Sequence, residues 1–237
     1  TGISGRALAG RAYAQAHKFG AEMLLAARVT GLETVGNAEG ANVFRLLVEG
    51  NNPATARAVA IATGAIYRRP NIPGIERFEG ACVHYWASSV EARLCNGEEV
   101  VLVGGGNSAG QSMSRYLIDR IQSIPNIDLR THATVTKLSG KTGRLQKVTW
   151  RDARTGQETM RPIRHLFVFI GADPGTSWLQ ASAVELDKNG FIVTGTAENH
   201  RPFETSLDGV FAIGDVRSGS TKRVAAAVGE GAQLIQL

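Results

Sequence analysis

The apolar run Val100-Val101-Leu102-Val103 leads straight into Gly104-Gly105-Gly106-Asn107-Ser108-Ala109. No other stretch restricts the fold as strongly. A buried strand that ends in glycines and hands over to small residues is the start of a βα unit. Gly104 permits the tight turn, and Gly106 lets the backbone come close to a pyrophosphate. Ala109 lets the new helix pack closely on its strand. The helix N-terminus then presents unpaired N–H groups and a positive dipole end to an anion. The same residues also suit a glycine-rich loop without a ligand, so the turn needs support from elsewhere in the chain.

The 237 residues are enough for one large or two small domains. At 43% hydrophobic and 20% charged, the chain can bury a core. Its 28 glycines suit an α/β protein with many tight turns. The net charge of +5 is scattered, and no basic run interleaved with aromatics marks a nucleic-acid surface. No apolar run approaches the roughly 18 residues of a membrane span, and no secretory leader pattern opens the chain. These features lead to the expectation of a soluble cytoplasmic protein that binds neither nucleic acid nor membrane. Cys82 and Cys95 stand too far apart for a CxxC redox pair or a zinc half-site.

Read in order, residues 4–19 have a helical period, with Leu8, Ala12, Ala16 and Phe19 on one face, Ser4 as N-cap and Gly20 as the stop. Strands are expected at 22–25, 27–32, 43–49 and 56–62, the last ending in Ala62-Thr63-Gly64. Without a Cβ, Gly64 can bring backbone near a ligand. Arg68 to Gly74 is a proline- and glycine-rich break. Further strands are expected at 127–130, 131–138, 145–151 and 165–170, with the meander covering one end of a parallel sheet. A buried strand at 208–213 ends in Gly214-Asp215, and a small-residue helix follows over 223–236. A carboxylate at such a strand mouth can accept from a ribose or ribityl hydroxyl, or it can cap the next turn.

Four pieces thus occur in a set order: Ala62-Thr63-Gly64, the Gly104–Ala109 turn, Phe169-Ile170-Gly171 with Pro174, and Gly209 to Asp215. That order resembles the thioredoxin reductase branch of the two-dinucleotide-binding flavoproteins. So do the opening Gly2-Ile3-Ser4-Gly5 and the closing Ala225-Ala226-Ala227-Val228-Gly229-Glu230-Gly231-Ala232. The resemblance implies an α/β fold with two Rossmann-like domains, the NAD(P)H domain inserted in the FAD domain. The expected boundaries are 1–69 and 173–237 for FAD, and 70–172 for NAD(P)H. It further implies hydride transfer from NADPH or NADH to FAD, in a homodimer.

By the same resemblance, Gly214 and Asp215 would hold the ribityl–pyrophosphate region of FAD. Lys222, Arg223 and Val224 would sit beside the isoalloxazine, Thr63 and Gly64 along the FAD, and Val29 near its adenine. Gly104, Gly106, Asn107, Ser108 and Ala109 would take the NAD(P)H pyrophosphate and adjoining ribose, while Ile170 and Gly171 line the nicotinamide groove.

The chain departs from the family pattern in three places. The family's redox CxxC should follow Tyr85-Trp86, where this chain reads Ala87-Ser88-Ser89-Val90. Serine and alanine cannot cycle between dithiol and disulfide. The acceptor is therefore expected to be a small molecule or small redox protein reached without that dithiol. A ferredoxin- or quinone-type reductase and a non-catalytic dinucleotide sensor are the alternatives. Second, the family's first βαβ, with its FAD fingerprint, would precede Thr1, so weak or no FAD binding is expected of these 237 residues alone. Third, Ser112 to Ile121 resembles a later helix of the family, which implies that about 20 residues or more are skipped after Gln111. The residues alone also allow one continuous helix over 108–124, with Arg130 available to a 2′-phosphate.

The histidines at 17, 84, 132, 165 and 200 have no metal spacing, and only His84 stands near the replaced redox position. Ser88 and Ser89 lack the glycine elbow and placed base of a nucleophile. Asp173 and Asp215 could act as acids, yet hydride transfer to a flavin requires none from the protein.

Overall fold

Ser4 accepts a hydrogen bond from the Ala7 N–H (3.2 Å) and caps the first helix, α1 (Gly5–Lys18). Gly20, at φ +83°, follows it in the left-handed conformation that ends helices. The expected apolar face exists on α1 but is not buried, and Phe19 just beyond it is 79% exposed. The computed structural model describes residues 3–38, 41–87, 89–104, 123–130, 132–195 and 201–236.

Residues 22–25 form no strand. Met23, Leu24 and Leu25 are exposed, and the segment has no ladder partner among the described residues. The first strand is β1 (Val29–Ala38), which pairs antiparallel with β2 (Ala41–Val48). The single strand expected over 56–62 is two. β3 (Ala54–Ala56) continues the antiparallel sheet, whereas β4 (Val59–Ile61) leaves it. The division falls at Arg57-Ala58, where the Arg57 carbonyl approaches Gly209 so closely that a Cβ there would lie 3.3 Å away.

The chain divides at this point into two units, residues 1–64 with 174–237, and residues 65–173. In the second, β5 (Ala65–Tyr67) leads to β6 (Val83–His84), the short helix α2 (Ser89–Leu94) and β7 (Val100–Val103). Three antiparallel strands follow: β8 (Ala133–Lys141), β9 (Arg144–Asp152) and β10 (Glu158–Arg161). Next come β11 (His165–Val168) and β12 (Ala172–Pro174), which pairs with β5. β6, β11 and β7 form a parallel sheet with β11 in the middle. Val83, Leu166 and Val168 share one core with Leu138, Leu145, Val148 and Trp150 of the meander. The meander thus shares its core with the parallel sheet, through Leu138 of β8 and Leu145, Val148 and Trp150 of β9.

Residues 127–130 are not a strand either. The Arg130 guanidinium folds back on Asp128, with bonds of 3.0 and 2.6 Å, and lies 5.5 Å from the Trp150 ring. A continuous helix over 108–124, or a skip after Gln111, lies for the most part outside the described residues, because 105–122 are not among them.

Back in the first unit, β13 (Val210–Ala212) pairs parallel with β4, Val210 opposite Val59 and Ala212 opposite Ile61. All three β13 residues are buried, and Val210 and Ala212 share a core with Leu32, Phe44, Leu179, Val184, Ile192 and Val216. The closing helix α3 (Val224–Leu234) follows, with Arg223 as its N-cap residue.

Candidate functional site

Parallel pairing of β4 and β13 brings two sequence-distant pieces to one sheet end. Beyond β4 lies Thr63-Gly64, and beyond β13 lies Gly214-Asp215. The ladder continues past the strands, since the Ile213 N–H donates to the Ile61 carbonyl at 3.0 Å. Ligands of open α/β sheets sit outside such carboxyl ends. Gly64 has φ +67°, and a Cβ placed on it would meet nothing within 4 Å, which leaves clear space beside the backbone. Thr63 is fixed by its hydroxyl, which donates to the Gly175 carbonyl at 3.0 Å.

Gly214 is buried with φ +72°, and an added Cβ would stand 3.2 Å from Ala227 Cβ. Both facts require glycine there. Its N–H donates to Glu230 Oε2 at 2.6 Å, and Arg217 Nη2 donates to Glu230 Oε1 at 2.5 Å. Burial works against the Glu230 carboxylate. The Arg217 hydrogen bond, the Gly214 N–H and the Arg217 charge together still hold its pKa below the ordinary value. The Arg217 guanidinium lies 5.4 Å from the Phe203 ring centre. Phe203 adopts φ +66°, a costly conformation for an aromatic residue.

Downstream, the Ser218 hydroxyl donates to Asp187 Oδ2 at 2.7 Å. Burial opposes ionisation of Asp187, but Ser218 and the Asn189 and Phe191 N–H groups win and lower its pKa. Lys222 Nζ donates to the Asp215 carbonyl at 3.0 Å and sits 4.2 Å from the Phe191 ring centre. The α3 N-terminus has no side-chain cap, and Val224 is exposed there. The polar groups at this end are thus an accepting carboxylate, Asp215, with two donors, the Lys222 ammonium and an uncapped helix start. That set suits a ligand with hydroxyls and negative charge. Val29 stands apart, at the start of β1 in the antiparallel sheet.

The second unit repeats the strand-end geometry with different chemistry. β7 runs into Gly104 and β11 into Phe169-Ile170-Gly171, side by side. The Phe169 N–H donates to the Val103 carbonyl at 2.7 Å. A Cβ on Gly104 would lie 3.3 Å from the Phe169 carbonyl oxygen. Gly171 has φ +98° and its carbonyl accepts from the Arg68 N–H at 3.0 Å. Gly106, Asn107, Ser108 and Ala109 lie outside the described residues, as does Ser88.

β6 ends at the same side of this sheet, so Tyr85, Trp86 and Ala87 emerge beside those glycines. The Tyr85 hydroxyl donates to Glu79 Oε1 at 2.6 Å, and Arg69 Nη2 pairs with Glu79 Oε2 at 3.0 Å. Burial first, then the Glu79 hydrogen bond and charge, push the Tyr85 pKa up to about 12. The His84 and His165 rings approach at 3.2 Å, Nε2 to Nδ1, with Phe167 stacked on His84. Burial lowers the His84 pKa, and His165 lowers it further. Cys82 is structural, its thiol bonded to the Gly143 carbonyl (3.4 Å) and accepting from the Leu145 N–H (3.3 Å). The Cys95 pKa is raised, by burial and then by Glu98 and Glu91, so its thiolate is disfavoured. Among the described residues no cluster of His, Cys, Asp and Glu could hold a metal ion, and no helix is long and apolar enough to cross a membrane.

Residues 107–231 match the family model described as pyridine nucleotide-disulphide oxidoreductase, more than half of the chain. The chain belongs to that family. Its members are NAD(P)H-dependent flavoprotein oxidoreductases that use FAD. The F component of the alkyl hydroperoxide reductase of Staphylococcus aureus (strain MRSA252) is 29% identical over 225 residues, covering 86% of this chain and 43% of that protein. The chain therefore spans less than half the length of the curated relatives it matches. The thioredoxin reductase of Streptococcus pyogenes MGAS5005 superposes with a TM-score of 0.74 at 28% identity, over 99% of this chain and 79% of its own. That of Giardia duodenalis gives 0.76 at 25% identity, over 97% and 78%. The mixed α/β fold is that of thioredoxin reductase-type structures.

Glu230 and Arg217 are functional candidates that spacing and composition did not single out. A lone acid in a helix of alanine and glycine was the available signal. His165 was likewise overlooked as the partner of His84.

Proposed function

We propose that this protein is a thioredoxin reductase-like flavoprotein that passes hydride from NAD(P)H to FAD and on to an acceptor, without a CxxC dithiol in this chain. The observation that carries the reading is the parallel pairing of β4 with β13, which sets Thr63-Gly64 and Gly214-Asp215 at one sheet end. In this reading the first unit is the FAD domain and the second an inserted NAD(P)H domain, both Rossmann-like. The residues at the first strand end fit the ribityl–pyrophosphate part of FAD: Asp215 accepts hydroxyls, and Lys222 and the α3 N-terminus meet negative charge. Thr63 and Gly64 flank it, Arg223 and Val224 lie toward the ring system, and Val29 toward the adenine. Gly104, Gly106, Asn107, Ser108, Ala109, Ile170 and Gly171 would receive the nicotinamide nucleotide. Bound FAD would supply the two-electron acceptor chemistry, and the protein supplies binding, orientation and electrostatics.

The acceptor is a small molecule or a small redox protein, and the working form is a homodimer. Two features support a route without a dithiol: Cys82 is tied into the core, and the thiolate of Cys95 is disfavoured. The test is the visible spectrum of the purified full-length protein, followed by NADPH and NADH oxidation with quinones, iron–sulfur proteins and disulfides as acceptors. Stoichiometric flavin with turnover on a non-disulfide acceptor is expected. Nucleotide binding without oxidation under any acceptor would instead make the protein a dinucleotide sensor.

A further inference from the structure

We propose that Glu230 and Arg217 are positioning residues, a paired clamp that holds the Gly214–Val216 turn in the shape that receives the flavin. The inference rests on the flavin reading of this strand end. One Glu230 carboxylate engages two groups of the turn at once, the Gly214 N–H at 2.6 Å and Arg217 Nη2 at 2.5 Å. The side chains are only 13% and 21% exposed, so the pair is shielded from water and screened little by salt. The residues come from separate elements: Arg217 ends the turn and Glu230 lies on α3.

Three further features serve the same contact. Gly214 has no Cβ and sits against Ala227, which lets α3 approach closely enough for Glu230 to reach a backbone N–H. Phe203 accepts a left-handed backbone, and its ring carries the Arg217 guanidinium. Helix α3 is otherwise built of Val, Ala, Gly, Gln and Leu, so Glu230 is its one ionisable residue. A charge buried in such a helix needs a partner, and both of its oxygens are taken. Its carboxylate also fixes the distance between the turn that carries Asp215 and the helix whose N-terminus faces the same end. If that distance relaxes, Asp215 and the α3 N–H groups can no longer meet one ligand together.

The test uses Glu230→Ala, Glu230→Gln and Arg217→Lys in the full-length protein, with two readouts. Amide hydrogen exchange over residues 213–217 reports the turn without any ligand. Flavin dissociation, followed by flavin fluorescence, reports the site. Glu230→Ala should lose exchange protection at Gly214 while β13 stays protected, and should weaken flavin by about tenfold or more, as expected for loss of a charge-assisted hydrogen bond. Glu230→Gln retains an acceptor for the Gly214 N–H and should restore most of the protection and bring flavin affinity to within about threefold of wild type. Arg217→Lys keeps the charge but not the two-sided geometry and should fall between the two. Unchanged exchange, or unchanged flavin affinity, in Glu230→Ala would overturn the proposal. Equal failure of Ala and Gln with general unfolding of β13 would also overturn it, because the pair would then serve stability alone. If the wild-type protein binds no flavin while Gly214 exchange still responds to Glu230→Ala, the flavin reading fails and the role in flavin binding falls with it.

Discussion

The two parallel strand ends share a backbone plan and differ in what secures it. In the first unit, β13 passes a ladder bond to Ile61 and turns at Gly214, and the turn is then gripped by Glu230 of α3, which pairs with Arg217 and accepts from the Gly214 N–H. In the second, β11 passes the equivalent bond to Val103, and among the described residues Gly104 is packed closely against the Phe169 backbone. Ionic chemistry there lies in the neighbouring loop, at Tyr85–Glu79–Arg69, and the sheet carries the His84–His165 ring contact. The lesson is that an ion pair grips one glycine turn directly, whereas the described contact at the other is a close backbone fit. Substitutions should separate them.

The largest effect is expected from Glu230→Ala, which leaves Arg217 half-buried and unpaired. Removing one partner of a shielded pair should cost about 3 kcal/mol in denaturant unfolding of the first unit. A cost below about 0.5 kcal/mol would put the pair in the class of surface ion pairs and erase the contrast. Gly104→Val comes next. Its Cβ would crowd the Phe169 carbonyl, so about 1–3 kcal/mol is expected by overpacking, in the second unit and independent of salt. A salt-dependent cost at Gly104 would mean that the two ends are secured alike.

Much of this was legible in the residues. Val59 and Ile61, and Val210 to Ala212, are short apolar runs that end in glycine or in Thr-Gly, and a buried parallel strand reads in just that way. Gly64 read as a place of close backbone approach for want of a Cβ, and it, Gly171 and Gly214 all hold positive φ. What escaped depends on partners far along the chain. Residues 56–62 read as one strand because alternation does not reveal that Ala56 pairs with Phe44 while Val59 pairs with Val210. Residues 127–130 read as a strand by composition, but Arg130 found Asp128 and Trp150 instead. The face of α1 was legible, whereas its lack of burial was not, because periodicity says nothing about the neighbour. Glu230 was invisible as a site residue because its role appears only when α3 lies against Gly214.

Smaller effects sharpen the second unit's side. Because burial and His165 lower the His84 pKa, folding favours neutral His84. Its contribution is full above the ordinary value of 6.5 and is lost as pH falls through the depressed pKa. His165→Phe removes the neighbouring ring nitrogen, and should flatten the stability profile just below pH 6.5, measured by thermal unfolding across pH. For Tyr85 the sign is reversed. With its pKa raised from 10.0 to about 12, its contribution is full below pH 10.0 and fades toward pH 12. A phenolate absorbance titration should show a late-ionising component that disappears in Tyr85→Phe. The smallest change is expected for Arg68→Ala. Arg68 pairs with Asp173 at 2.7 Å, but both side chains are largely exposed, so the loss should stay below about 1 kcal/mol and vanish in salt.

The most direct measurement is an anaerobic titration of the full-length protein with NADPH, followed by the visible absorbance of bound flavin. Under the proposed assignment of one strand end to FAD and the other to the nicotinamide nucleotide, the protein should purify yellow and bleach with one equivalent of NADPH, before any acceptor is added. A protein that purifies without flavin, or whose flavin stays oxidised while NADPH binds, would contradict the two-cofactor reading.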